Sequence, residues 1–208
     1  VSNDSIIAMK PPYIITGEIL KLVTSISERI GEINANHLYK PSTELRKKNR
    51  IKTIQSSLEI EGNTLTEEQI TALLENKRII APKKDVLEVQ NAIKVYDKLN
   101  EFDPYQLKDL EKAHLILMDG LIEHAGTLRT KNVGIVKGSK VAHVAPNGTM
   151  VKGLMKDLFA DLKKDQELML IKSCVFHYEF EFIHPFIDGN GRMGRLWQTL
   201  ILMQQYPV

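Results

Sequence analysis

A single cysteine, Cys174, stands in a chain of 208 residues. One thiol cannot close an internal disulfide, which suits a reducing cytoplasm, and its apolar neighbours read it as a small buried side chain. No apolar run approaches the ~20 residues needed to span a bilayer, and no signal-peptide pattern opens the chain, so no membrane role is expected. Charge of one sign is also scarce. Lys and Arg number 28 against 26 Asp and Glu, leaving +2, so no basic field points to nucleic acid. The one local excess, Arg46, Lys47, Lys48, Arg50 and Lys52, reads as the solvated face of a helix. Internal repeats and low-complexity segments are absent. What remains is ordinary globular material, 43% hydrophobic and 26% charged, long enough to bury a core without staples.

Periodicity predicts an all-α architecture with one small β-hairpin. Pro11 and Pro12 sit in an arm. Thr16 is a candidate N-cap for a helix whose apolar residues are Ile19, Val23, Ile26, Ile30 and Ile33. A second helix over 42–61 carries Ile51, Ile54 and Leu58 on one stripe and stops at Gly62-Asn63. Thr66 with Gln69 reads as a capping box opening a short helix to Leu74. Two further helices are expected at 86–99 and 104–122, and helical pattern resumes at Leu154. Between Gly126 and Val151 the β-branched and glycine-rich text predicts a hairpin with Gly138-Ser139 near its tip. The stretch 168–183 is apolar almost all round and predicts a central buried helix, ended by Pro185. A last helix starts near Asn190, with Met193, Leu196, Trp197, Leu200 and Ile201 inward.

The chemistry concentrates where these last two helices meet, in His184-Pro-Phe-Ile-Asp188-Gly189-Asn190-Gly191-Arg192-Met193-Gly194-Arg195. Two glycines flank Asn190 where loop becomes helix, so backbone amides can approach a ligand closely. The helix start leaves about four N–H groups unpaired and carries roughly half a positive charge, which together make an anion site. Arg192 and Arg195 project from the first turn on nearly one side, with forks suited to phosphate oxygens. Asp188 is placed to hold a hard cation such as Mg²⁺ bridging phosphates, and His184 to act as a base beside them. Gly189, Gly191 and Gly194 literally match a dinucleotide-binding fingerprint. A helix rather than a strand precedes them, however, and too few residues follow for a βαβ unit. The plainer alternative is that the glycines only join two helices and the arginines are surface charges. His177 and His184 lie seven residues apart, about 10 Å along a helix, too far to share one ion without a bend.

This segment resembles the Fic motif in full: His, Phe, an acid, Gly-Asn-Gly-Arg, then a second Arg three residues later. His177-Tyr-Glu-Phe-Glu-Phe-Ile183 and Leu196-Trp-Gln198 are similar to Fic proteins too, and the resemblance runs over roughly residues 10–206. It implies protein adenylylation. His184 would take the proton from a target hydroxyl, which attacks the α-phosphorus of ATP as pyrophosphate leaves in line. Asp188 would hold Mg²⁺ on the α- and β-phosphates. Gly189, Asn190 and Gly191, with Met193 and Gly194 in the same turn, would form the nucleotide-binding segment. Arg192 and Arg195 would bind the outer phosphates.

Glu61 follows Ile54 and Leu58 at helical spacing, so a carboxylate lies on an apolar stripe, where it needs a partner. The plain reading is that the helix is ending and Glu61 reaches solvent. Ser57-Leu-Glu-Ile-Glu61-Gly62 resembles the inhibitory pattern of the Fic class with a built-in N-terminal inhibitor. The resemblance implies a bidentate Glu61–Arg195 pair occupying the fork that the γ-phosphate needs. In some family members this Glu also helps water remove AMP from the modified target. Arg129, Val133, Gly134, Ile135 and Val136 stand where the family's flap lies, implying a strand edge that docks an extended target segment.

Two blocks are expected within one compact unit: 1–76, the arm and helices including the inhibitory one, and 77–208, the catalytic core. Expected partners are ATP and a protein carrying a Ser, Thr or Tyr hydroxyl, this protein itself included, in the cytoplasm. Homo-oligomerisation is left open. Alternatives are a relative using another phosphate-containing donor, and a silent nucleotide-binding or interaction module. The end at Tyr206-Pro207-Val208, directly after a helix, reads as a shortened chain or a missing C-terminal part, with a natural end as the alternative.

Overall fold

The computed structural model describes residues 13–36, 43–137, 140–164 and 167–206. In chain order the elements are α1 (Gly17–Asn36), α2 (Thr43–Glu59), α3 (Glu67–Leu74), α4 (Lys83–Asp97), α5 (Leu107–Leu117), β1 (Gly134–Lys137), β2 (Lys140–Val144), α6 (Val151–Leu162), α7 (Met169–Ile183) and α8 (Asn190–Leu202). The protein is mostly helical. β1 and β2 pair antiparallel, with an irregular register between Ile135 and Val136. The expected tip, 138–139, lies outside the described residues, as does the arm over 1–12.

α8 is the element on which the site depends. It packs along α7, and α5 and α2 also touch it. Its buried side chains Met193, Leu196, Trp197, Leu200 and Ile201 fill the same core as Ile54, Leu58, Val95, Leu110, Met155, Phe176 and Phe180. Trp197 is fully enclosed, and its indole N–H donates to the Pro104 carbonyl at 3.1 Å. Phe159 meets Phe176 edge-on, with ring centroids 5.4 Å apart.

Local signals set several helix ends. Thr66 accepts from the Gln69 amide while the Gln69 side chain accepts from the Thr66 amide, a complete capping box. Thr16 caps α1 through the Ile19 amide at 3.3 Å. α2 stops because Gly62 turns left-handed, with φ 89°, and the Asn63 amide returns to the Leu58 carbonyl at 3.1 Å. α5 is shorter than the expected 104–122, because the chain leaves the helix after Leu117 and Gly120 takes φ 69°.

Two expectations from apolar patterning need correction. α7 is not buried all round. Ile171, Phe176, Phe180 and Ile183 face the core, whereas Tyr178 and Phe182 are 67% and 45% exposed. Cys174 is exposed rather than buried, on that same outer side. On α1, Ile26 and Ile33 are exposed. α1 faces α7 across an apolar cleft of about 710 Å³. Periodicity identifies an apolar face but not whether another element covers it.

Candidate active site

α7 ends at His184, whose backbone is left-handed at φ 50°, ψ 62°, with its amide still bonded to the Phe180 carbonyl at 2.9 Å. A non-glycine residue there is uncommon and must be held by its surroundings. The loop then runs through Pro185 and Phe186 to Asp188. Gly189 precedes α8 with φ 81°, where a Cβ would stand 2.6 Å from Met118 Sδ. Both the positive φ and the close approach require glycine.

The Asn190 side chain is buried and ties the loop shut. Its Oδ1 accepts from the Phe186 amide and its Nδ2 donates to the Phe186 carbonyl, both at 2.9 Å. Its side chain therefore braces the loop, and only its backbone can face a ligand. Met193 also departs from the expected nucleotide contact. Its side chain is fully buried and its amide bonds the Gly189 carbonyl at 3.0 Å, so it packs the core beneath the cradle. Gly194 faces the Glu181 carboxylate, which a Cβ would approach to 2.4 Å.

The two arginines have different surroundings. Arg192 is buried and lies between Glu88 Oε1 at 3.2 Å and Asp188 Oδ1 at 3.4 Å. Arg195 reaches across to the end of α2. Its Nε donates to Ser57 Oγ at 2.9 Å, and its Nη2 donates to the Ser57 carbonyl at 2.9 Å and to Glu61 Oε1 at 2.6 Å. The expected bidentate Glu61 pair is thus a single contact, with Ser57 filling the rest of the fork, because Glu61 sits past the helix end on the Gly62 turn. Glu61 Oε1 also lies 2.5 Å from where a Cβ on Gly191 would be, directly against the glycine loop.

Asp188 carries a side chain 56% exposed to solvent. Its Oδ1 accepts from the Gly189 amide at 2.6 Å. Magnesium is usually bound by one or two carboxylates plus substrate phosphates, so a lone exposed carboxylate beside an anion cradle fits that ion. Among the described residues, no group of three or more His, Cys, Asp or Glu side chains is placed to hold a metal by itself.

Three supporting residues were not singled out as such in the sequence. His114 is fully buried; the Gly126 amide donates to its Nδ1 at 2.7 Å, so Nε2 carries the proton and donates to the Asp188 carbonyl at 2.9 Å. Burial lowers its pKa to about 4, only partly opposed by the hydrogen bond to the Asp188 carbonyl, with Arg192 adding a smaller lowering, so the ring is neutral. It stacks on Phe186 with centroids 3.7 Å apart. Glu88 is shared between Arg192 and Asn63, whose Nδ2 donates to Oε2 at 2.9 Å. Arg129 grips the backbone on both sides of His184. The bonds from His114 to Asp188, Arg129 to His184 and Arg192 to Glu88 join residues 74, 55 and 104 positions apart in sequence, which local spacing cannot reveal.

Val133 leads into β1, which opens at Gly134 and holds Ile135 and Val136. The strands rise from a root formed by Lys131 and Pro146, both bonded to Arg129.

The site is therefore a loop-to-helix turn suited to an anion, with a histidine at its rim and a carboxylate just past the end of α2 paired with one arginine. Residues 102–202 match the model of the Fic/DOC family. The chain is 30% identical over 201 residues to protein adenylyltransferase fic-1 of Caenorhabditis elegans, covering 88% of this chain and 38% of that protein. It is likewise 30% identical over 198 residues to protein adenylyltransferase Fic of Nematostella vectensis, covering 90% of this chain and 45% of that one. A crystal structure of a Fic family protein from Desulfovibrio desulfuricans G20 superposes with a TM-score of 0.88 at 47% identity, covering 96% of this chain and 61% of that one. The chain belongs to the Fic family. It spans less than half the length of the two curated relatives.

Proposed function

We propose that this protein transfers AMP from ATP to a hydroxyl of a protein, and that Glu61 restrains the reaction. The observation that carries the proposal is Arg195: a fork beside the α8 N-terminus, held by Ser57 and Glu61 from the end of α2. His184 stands at the rim of the same cradle, one loop before the α8 N-terminus.

In this reading the α8 N-terminal amides and Arg192 bind the phosphates, with Arg195 joining them once Glu61 withdraws. His184 takes the acceptor's proton. The acceptor oxygen forms a bond to the α-phosphorus as the bond to the bridging oxygen breaks, and pyrophosphate carries that electron pair away. Asp188 would hold Mg²⁺, which supplies neutralising charge to the phosphates when bound. The remaining contribution is fixed positive potential aimed at the phosphates, arranged before the reaction begins. The β1–β2 ribbon offers a strand edge on which an extended acceptor segment can pair.

The test is the double variant Glu61→Gly with His184→Ala, incubated with ATP and magnesium. A general base contributes about 10²–10⁴ in rate, so AMP transfer should drop at least that far below Glu61→Gly alone. Near-equal transfer by the two would rule out His184 as the base.

A further inference from the structure

Arg129 is a buried cation, 3% exposed, and among the described residues it has no carboxylate partner. The guanidinium's partners are four backbone carbonyls. Nε donates to His184 O at 2.6 Å, and Nη2 to Ile183 O and Pro146 O, each at 2.9 Å. Nη1 donates to Lys131 O at 2.8 Å, and the Arg129 amide donates to Pro185 O at 2.8 Å. One residue thus binds three consecutive carbonyls, Ile183, His184 and Pro185, together with both sides of the ribbon's root.

Two physical features make this more than packing. The carbonyls of Ile183 and His184 end α7, where the helix dipole is negative and favours a cation. Between them sits the left-handed backbone of His184, at φ 50°. A conformation of that kind costs of order 1–3 kcal/mol and persists only where the surroundings over-determine it. The guanidinium fork, with donors fixed in one plane, clamps the carbonyls on either side and so sets the direction from which the imidazole leaves the backbone.

Building on the functional reading above, we propose that Arg129 is a positioning residue for the transfer. It holds the base His184 and the root of the β1–β2 ribbon as one unit, so that an acceptor paired on the ribbon arrives in register with the base. It touches neither nucleotide nor acceptor. Its removal therefore acts on the rate at saturating ATP and leaves ATP affinity intact, because Arg192, Arg195 and the α8 amides are held by other contacts.

The experiment uses Glu61→Gly as the parent and measures self-labelling from α-labelled ATP, alongside ATP affinity by calorimetry. Arg129→Lys keeps a buried cation but not the planar fork, and serves as the folded comparison. Arg129→Ala opens a cavity that free guanidinium can enter. Misplacing a reacting group by about 1 Å costs on the order of 10² in rate. Arg129→Lys is expected to label about 10²-fold more slowly with ATP Kd unchanged, and guanidinium is expected to restore part of the rate to Arg129→Ala. Labelling by Arg129→Lys at the parent's rate overturns the proposal. So does a loss of ATP affinity in step with the rate, which would mark a general structural role. If the Glu61→Gly parent itself does not label, the functional reading fails, and this inference with it.

Discussion

Replacing Glu61 by glycine tests the link between structure and activity most sharply. The carboxylate meets Arg195 Nη2 at 2.6 Å, with the two side chains 32% and 25% exposed. A charge-assisted hydrogen bond contributes about 1.5–3 kcal/mol when shielded. Partial solvent access reduces that to about 1–2 kcal/mol, a factor of about 5–30 in the population with Arg195 free. The carboxylate also lies against Gly191, so its removal clears space beside the cradle as well as freeing charge. Glu61→Gly should therefore raise AMP incorporation by at least about 5–30-fold, read as protein-bound label per unit time at fixed ATP. α2 should stay docked, since Ile51, Ile54 and Leu58 anchor it. Glu61→Gln, which keeps a neutral hydrogen bond, should fall between the two. A folded Glu61→Gly protein that labels no faster than the parent would refute the reasoning.

Other outcomes follow from the same geometry. Burial raises the pKa of Glu181, and Glu61 adds to the rise, while Arg195 opposes it. With a folded-state pKa above the unfolded one, this group's contribution is favourable at low pH and is lost as pH rises through the folded value. Glu181→Gln should accordingly melt higher than the parent at pH 8, with the difference vanishing below the normal carboxylate range. Gly189→Ala meets both the positive φ and Met118; it should lower stability by about 1–3 kcal/mol in denaturant titrations and weaken ATP binding measured by calorimetry. Leu58→Ala removes a fully packed side chain beneath the Ser57–Glu61 turn. It should lower unfolding free energy by about 2–5 kcal/mol while raising AMP transfer, because the inhibitory turn loses its anchor.

The sequence was most informative where the chemistry is contiguous. Gly189 to Arg195 lie on one loop and one helical turn, so spacing alone brings their backbone and forks together. Ser57 and Glu61, one turn apart, were legible as a pair, yet the sharing of the Arg195 fork was not, because it depends on how far the Gly62 turn swings Glu61 past the helix end. Glu88, His114 and the clamp made by Arg129 were invisible as partners of the motif. Each sits on a different helix or loop and meets it only through tertiary packing. The outer face of α7 was misread for a related reason: an apolar stripe records what a helix can bury, and whether a neighbour covers it is decided elsewhere in the chain.

The most direct test of the central claim compares label transfer from α-³²P-ATP and γ-³²P-ATP to protein by Glu61→Gly. Label from the α-position and none from the γ-position is the predicted result, since pyrophosphate must leave. Label from the γ-position would show phosphoryl transfer, and label from neither would show that no part of ATP is transferred; either contradicts the account.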